Sequence, residues 1–339
     1  MSKTVVIYRW PNQLEWTILE GESALLHADD SSSVKGFLIA PFIDAQPEII
    51  SVDRLDQTIE FPEDRLVELY ATYKSYLPNA DEPSIEPYSM CLTKAIDAVS
   101  SGALSKVVIS RKQFFESHHT MFADGLNALA KANPSTFVYC LFSPVHGVWF
   151  GASPEVLVEE KQDSFLTMAL AGTIKSEKDI LLRDWKQKEL DEHEFVSAYL
   201  REKLSMHSLE FKESSLGISR SGNIHHLIRE YRIVKTNSIS LLSLAKLLHP
   251  TPAICGMPTA LAKAFISVNE NYDRELYTGF IGPVGMKYNN GLFVNLRCGK
   301  LAKNGMVLFA GGGINKGSIA ANELQETKNK MENTLRFFI

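Results

Sequence analysis

HPTPAICGMPTALA (residues 249–262), DRELYTGFIGPVG (273–285), GLFVNLRCGKL (291–301) and VLFAGGGI (307–314) lead in order to NELQETKNKMENTL (322–335). Glycine-bearing turns alternate here with strand-like apolar runs, and the series ends in a helix. That helix carries Glu323, Glu326 and Lys330 in its first turns. Offsets of three and four residues put these side chains on one face, so two carboxylates and an ammonium converge. Taken alone, such a trio is most often a solvated helix face.

Upstream, residues 3–60 repeat the alternation in TVVIYRW, WTILEG, GFLIAPF and EIISV, which predicts several antiparallel strands. Glu63 to Tyr76 is helical in pattern, and PNADEPSIEP (78–87) reads as a linker. It divides a β-rich part, residues 1–85, from a larger region, residues 86–339. A helix over Ser89–Ser100 stops at Gly102, and KVVISRKQFFE (106–116) is a strand opening on a lysine. A helix over Gly125–Ala132 ends at Asn133-Pro134, and FVYCLF and GVWFGASPEVLVE form strands around the turn Ser143–Gly147. FLTMALAGTIK is a further strand. A long charged helix over Lys178–Leu204 contains DEHEF, and two more helices are predicted near Gly217–His226 and Ser240–Leu248.

With 339 residues, 45% hydrophobic and 22% charged, the chain has the composition of a soluble globular protein with material for a large core. A net charge of −5, without a basic stripe, argues against nucleic acid as the main partner. The cysteines Cys91, Cys140, Cys255 and Cys298 form no CxxC pair, which fits a reduced compartment. MSKTVVIYRWPNQLEW lacks the pattern of a signal peptide, and no apolar run approaches the roughly 20 residues needed to cross a bilayer. The expectation is a cytoplasmic protein with no membrane association.

In order and spacing, these segments resemble the chorismate-utilising family of isochorismate, salicylate, anthranilate and aminodeoxychorismate synthases, over roughly residues 90–339. The likeness is strongest to isochorismate synthases. It implies an α+β fold: two β-rich halves whose antiparallel sheets form a sandwich-like core, with helices packed outside and the active site between the halves. KVVISR matches the KVVxSR motif of the members that add water, and so implies Lys106 as general base. The aminating members lack that lysine. Without the resemblance, a lysine at a strand edge is most often a solvated guard against edge pairing. Glu155 of GASPE is a turn carboxylate by pattern and the general acid by resemblance. In forming isochorismate, water attacks ring carbon 2 of chorismate while the hydroxyl on carbon 4 leaves. A base and an acid on opposite sides of the ring are the minimum equipment.

The resemblance further implies substrate contacts at Ala171, Gly172 and Thr173, at His226 of NIHHLI, and at Ala253, Ile254 and Tyr277. Ala171 stands where aminodeoxychorismate synthases of the lysine-nucleophile type place a lysine. Arg297 and Lys330 match the cations that hold the substrate carboxylates, and Gly311, Gly312 and Gly313 give backbone N–H groups access to the same anion. AGGGI is neither GxGxxG nor GxxxxGK[ST]. The implied cofactor is Mg2+, held by Glu194 of DEHEF and by Glu326, with Glu323 and Asp191 acting behind them or through water. Phe195 replaces the histidine usual after that first glutamate, and Arg229 a usual threonine. Tyr277 takes the place of a frequent phenylalanine. Ala253 stands where salicylate and anthranilate synthases commonly carry threonine; a methyl there removes a polar contact beside the enolpyruvyl group and disfavours pyruvate elimination. The expected protein is a monomeric isochorismate synthase needing no glutaminase subunit, serving menaquinone or siderophore biosynthesis. The alternatives are a salicylate synthase and a non-catalytic chorismate binder.

Overall fold

Period-two alternation sets the architecture from the first strand. In β1 (Thr4–Arg9), Val5 and Ile7 pack into one apolar cluster and Val6 and Tyr8 into another, so the strand has a layer on each face. The computed structural model describes residues 3–26, 34–43, 46–79, 86–117, 121–221 and 224–339.

Short strands follow: β2 (Trp16–Gly21), β3 (Ser23–Leu25), β4 (Gly36–Ala40), β5 (Glu48–Ile50) and β6 (Arg54–Thr58). Then come helices α1 (Glu63–Tyr73) and α2 (Glu86–Ser100), strand β7 (Lys106–Glu116) and helix α3 (Phe122–Ala132). The middle of the chain supplies β8 (Phe137–Ser143), β9 (Gly147–Ser153), β10 (Val156–Glu160) and β11 (Ser164–Lys175). Helix α4 (Gln187–Met206) precedes β12 (Phe211–Glu213), β13 (Gly217–Ser221) and β14 (Ile224–Val234). Next are α5 (Leu241–Leu248), β15 (Gly256–Met257), α6 (Thr259–Asn269) and β16 (Phe280–Val284). The series closes with β17 (Gly291–Val294), β18 (Cys298–Ala302), β19 (Gly305–Asn315) and α7 (Ala320–Leu335).

Among the described residues these strands make two antiparallel sheets, as the sandwich expectation requires. One has nine strands in the order β15-β7-β19-β18-β9-β8-β1-β2-β6. The other has ten, with the path β12-β14-β11-β10-β17-β16-β4-β5-β3 and β13 also paired to β14. Aromatic side chains fill the space between them. Phe137 of one sheet stacks on Phe293 of the other at 4.3 Å and 9°, and each such buried ring contributes roughly 1.5–3 kcal/mol. Outside the nine-stranded sheet pack α1, α3 and α7, and outside the ten-stranded sheet α4 and α5. Helices α2 and α6 cover β7.

Residues 4–58 give β1, β2 and β6 to one sheet and β3, β4 and β5 to the other. The division placed at residue 85 therefore runs through both sheets; residues 80–85 of the linker lie outside the described residues. Two helix expectations are corrected. Residues 217–221 and 224–234 are strands, because His225, Leu227, Tyr231 and Ile233 are buried at period two rather than at helical spacing. The long charged helix begins at Gln187, not Lys178, after a single 3-10 turn at Leu182–Asp184. No helix is long and apolar enough to cross a membrane among the described residues.

Candidate active site

The chain steps between the sheets twice, side by side. Pro154-Glu155 joins β9 of one sheet to β10 of the other, and Asn295–Arg297 joins β17 back to β18. The crossovers are hydrogen-bonded together. Val294 N–H donates to Glu155 O at 3.0 Å, Ala152 N–H donates to Arg297 O at 3.3 Å, and the Ser153 hydroxyl donates to Val294 O. Arg297 holds a left-handed backbone, φ +48°, which is rare for a side chain with a Cβ and is fixed by this double crossing. Burial pushes the Glu155 carboxyl up to about 7, although the charge of Lys106 pulls the other way. Burial also lowers the Arg297 guanidinium.

Lys106 is not an edge guard. Strand β7 has β15 on one side and β19 on the other, with Lys106 opposite Met257 and Asn315. Its side chain is 2% exposed, and Nζ donates to Glu192 Oε1 at 3.0 Å. The glycines explain how it fits. A Cβ on Gly313 would stand 3.2 Å from Lys106 Cε and 3.7 Å from Glu192 Oε1. On Gly312 it would stand 3.5 Å from Glu323 Oε2, and on Gly311 3.1 Å from the Tyr277 hydroxyl. The three glycines thus leave room for the charged groups on either side of β19.

Helix α7 meets this strand from outside. Lys330 Nζ donates to Gly311 O at 2.8 Å and pairs with Glu326 at 2.7 Å. Glu323 is buried; burial, with the neighbouring Glu326, holds its carboxyl above the usual range. Glu323 also feels Lys188 of α4, while Glu192 of α4 feels Lys330 of α7, so the two helices present these faces to one cleft. Burial acts most strongly, to raise Glu192, but the charge and hydrogen bond of Lys106 together with the charges of Lys330 and Lys188 give a net lowering.

His226 pairs with Thr173 between β14 and β11. Its Nδ1 lies 3.2 Å from Gly172 O and 3.0 Å from Thr173 Oγ1. A carbonyl only accepts, so Nδ1 carries the proton and Nε2 is a bare acceptor. That Nε2 is buried without a partner among the described residues. Burial, then the charges of Arg297 and Lys330, push His226 down to about 4, so the ring is neutral at pH 7. Ala171 is buried, and Gly172, at φ +76°, makes the bulge that turns Thr173 outward. Ile254 is buried in the turn before β15, with Ala253 half-buried beside it. Tyr277 stacks on Phe309 with ring centroids 5.5 Å apart.

Two expected residues are not brought in. Glu194 points away from the cleft, 55% exposed and paired with Arg201. Asp191 is exposed and accepts from Gln187 Nε2 at 2.8 Å. Helical phase is the reason. Val196, Leu200 and Leu204 are the buried face of α4, and stepping back four residues from Val196 gives Glu192. Glu194 lies about 200° from Val196 around the helix. With Glu192 in place, the following residue is His193, buried at 2% exposure, and the departure at Phe195 disappears. Arg229 is a strand residue 3.7 Å from Glu213. Glu189, three residues before Glu192, was also missed. Its backbone meets Gly172, and its Oε2 is buried without a hydrogen-bond partner among the described residues. The apolar spacing of α4 was the available signal for both.

Residues 42–338 match the family model described as chorismate binding enzyme. An Aeromonas hydrophila relative is 33% identical over 248 residues, which are 70% of this chain and 62% of that one, so the likeness spans less than two thirds of its length. Isochorismate synthase EntC of Escherichia coli strain K12 is 29% identical over 297 residues, 83% of this chain and 71% of EntC. In structure, the menaquinone-specific isochorismate synthase MenF of Escherichia coli superposes with a TM-score of 0.80 at 20% identity, covering 100% of this chain and 89% of that one.

Proposed function

Because the chain belongs to the chorismate binding enzyme family, we propose that it is an isochorismate synthase, an isomerase that exchanges the hydroxyl on carbon 4 of chorismate for one on carbon 2. One observation carries the reading. A buried lysine and a carboxyl poised at about 7 lie within each other's field, on β7 and on the β9–β10 crossover. A mere binder has no use for such a pair.

The chemistry follows from placement. Lys106 takes a proton from water as the water oxygen bonds to ring carbon 2. The ring double bonds shift, and the bond from carbon 4 to its hydroxyl breaks as Glu155 gives that oxygen a proton. One water enters and one leaves. Glu155 suits the acid role because its carboxyl stays protonated up to about pH 7. His226 Nε2 is free to accept from a substrate hydroxyl. Arg297 meets one substrate carboxylate through its planar fork, and burial has already desolvated the guanidinium.

Among the described residues no three metal-ligating side chains are already drawn together, but the carboxylates of α4 and α7 are of the kind a magnesium ion takes. Glu189 has an orphaned buried oxygen, Glu323 is a buried carboxyl beside Glu326, and Glu192 completes two pairs spaced by three on α4 and α7. Such hard oxygen donors suit Mg2+. Glu189, Glu192, Glu323 and Glu326 would hold the ion, whose charge would help bind the second substrate carboxylate. Water as nucleophile calls for no glutaminase partner, and a monomer in the cytoplasm completes the reading.

The test is purified protein with chorismate and Mg2+, products identified by NMR, with and without ammonia. Isochorismate alone is the expected result. Salicylate with pyruvate would move the assignment to a salicylate synthase and remove the role given to Ala253. Unchanged chorismate with measurable binding would replace the enzyme by a binder.

A further inference from the structure

Strand β15 is only two residues long, and it is the last strand on that edge of its sheet. Ser105 N–H donates to Met257 O and Val108 N–H to Cys255 O, both at 2.8 Å, and on this edge the strand pairing of β7 ends there among the described residues. A buried strand edge left with bare N–H and C=O groups is costly. Here an ion pair continues the ladder. Arg274 Nη2 donates to Val108 O at 2.8 Å, and Ser110 N–H donates to Glu270 Oε1 at 2.6 Å. Two further bonds join the pair itself, Arg274 Nε to Glu270 Oε2 at 2.7 Å and Nη2 to Oε1 at 2.6 Å, with both side chains 3% exposed. Seen from β7, these are a donor and an acceptor offered where an antiparallel neighbour would offer them.

The same guanidinium reaches the walls of the cleft. Arg274 Nη1 donates to Ile254 O at 3.2 Å and to Thr278 Oγ1 at 3.1 Å, and Arg274 O accepts from Tyr277 N–H at 2.8 Å. Ser110 also sits opposite Gly311, where the Tyr277 hydroxyl approaches. One ion pair therefore touches the strand of Lys106, the turn of Ile254 and the turn of Tyr277.

We infer that Glu270 and Arg274 are a positioning pair: a side-chain substitute for an edge strand, which holds β7, and Lys106 two residues from the clamp, in register with the Ile254 and Tyr277 walls. Neither residue is placed against substrate. The inference builds on the isochorismate synthase reading only for its kinetic consequence.

Buried ion pairs add little net stability, because desolvation offsets their attraction, whereas removing one partner strands a charge. That contrast separates positioning from stability. The single variants Arg274→Met and Glu270→Leu lower Tm. The double variant Glu270→Leu with Arg274→Met strands no charge, although Val108 O, Ile254 O and Ser110 N–H lose these partners, so its Tm recovers only part of the way towards that of the native protein. If the pair positions β7, the double variant still turns over chorismate roughly 10- to 100-fold more slowly, with a smaller change in KM. Its backbone amides over residues 106–112 also exchange faster by hydrogen-exchange mass spectrometry. Native kcat in the double variant overturns the inference, whatever the exchange rate; so does unchanged exchange over residues 106–112. Should the double variant not fold, Arg274→Lys keeps the charge without the fork and gives the same readouts. If the native protein leaves chorismate unchanged, the functional reading fails separately, and the exchange measurement alone decides the role of the pair.

Discussion

Lys106 and Glu192 form an ion pair at 3.0 Å between strand β7 and helix α4, with the lysine almost wholly buried. Glu194, one half-turn along the same helix, is 55% exposed and bound to Arg201. Glu192→Ala is accordingly expected to reduce kcat/KM by on the order of 100-fold, the scale of lost acid–base or metal-holding groups, while Glu194→Ala stays within about twofold. Steady-state kinetics on the two variants decide it. Equal losses would return Glu194 to the site.

Lys106→Ala and Glu155→Gln are each expected to lower kcat by about 100-fold or more. Binding of chorismate, followed by calorimetry, should survive in both. A variant turning over at the native rate has lost no part of the mechanism.

The raised carboxyl of Glu155 fixes a pH dependence. The acid form is required, so kcat/KM should fall as pH rises through about 7. A profile flat from pH 6 to 9 would take Glu155 out of the acid role. Stability follows the same sign. The folded value, about 7, lies above the ordinary 4.5, so the folded state holds this proton more tightly. Its stabilising contribution is full below 4.5 and is lost as pH rises through 7. Glu155→Gln should therefore melt above the native protein at pH 8, with the gap closing towards pH 4.5.

Metal binding tests the four carboxylates. Glu189→Gln and Glu326→Ala should each weaken Mg2+ binding by roughly 10-fold in calorimetric titration, whereas Asp191→Ala, at an exposed position hydrogen-bonded to Gln187, should leave it unchanged. A normal titration in both glutamate variants would contradict the site.

Gly313→Ala places a methyl 3.2 Å from Lys106 Cε. The lysine stem can shift, so the fold should tolerate the change while kcat drops by roughly 10-fold through displacement of the base nitrogen, Lys106 Nζ. Gly312→Ala meets nothing nearer than 3.5 Å and should be milder. Circular dichroism melting alongside kinetics separates the two effects.

Much of this was legible in the chain. Lys106, Glu155, His226, Arg297, Lys330 and the three glycines sit at motif positions, and local motifs survive without knowledge of the tertiary fold. The two-sheet sandwich came from the resemblance, since alternation alone predicts strands and not their partners. The errors have local causes. The resemblance names Glu194, whereas the helix phase set by Val196, Leu200 and Leu204 leaves Glu194 exposed and turns Glu192 towards Lys106. The segment 217–226 was read as helix although the burial of His225, Leu227, Tyr231 and Ile233 is strand-like. GISRSGNIHH holds only two aliphatic apolar side chains, Ile218 and Ile224, too few to display a period of two. The Glu270–Arg274 pair carried no sequence mark, because its role depends on where a strand made by distant residues stops.

The ladder between β7 and β19, from Lys106 opposite Asn315 to Glu116 opposite Gly305, joins segments separated by some two hundred positions of chain. Before β19 is synthesised, Lys106 stands on an open sheet edge with no glycine groove beside it and no Lys330 behind. A nascent chain thus contains Lys106, Glu155, His226 and Arg297 before the glycines and the α7 side chains that complete the cleft. Turnover measured during refolding therefore follows a strand pairing of long sequence separation rather than collapse of the core.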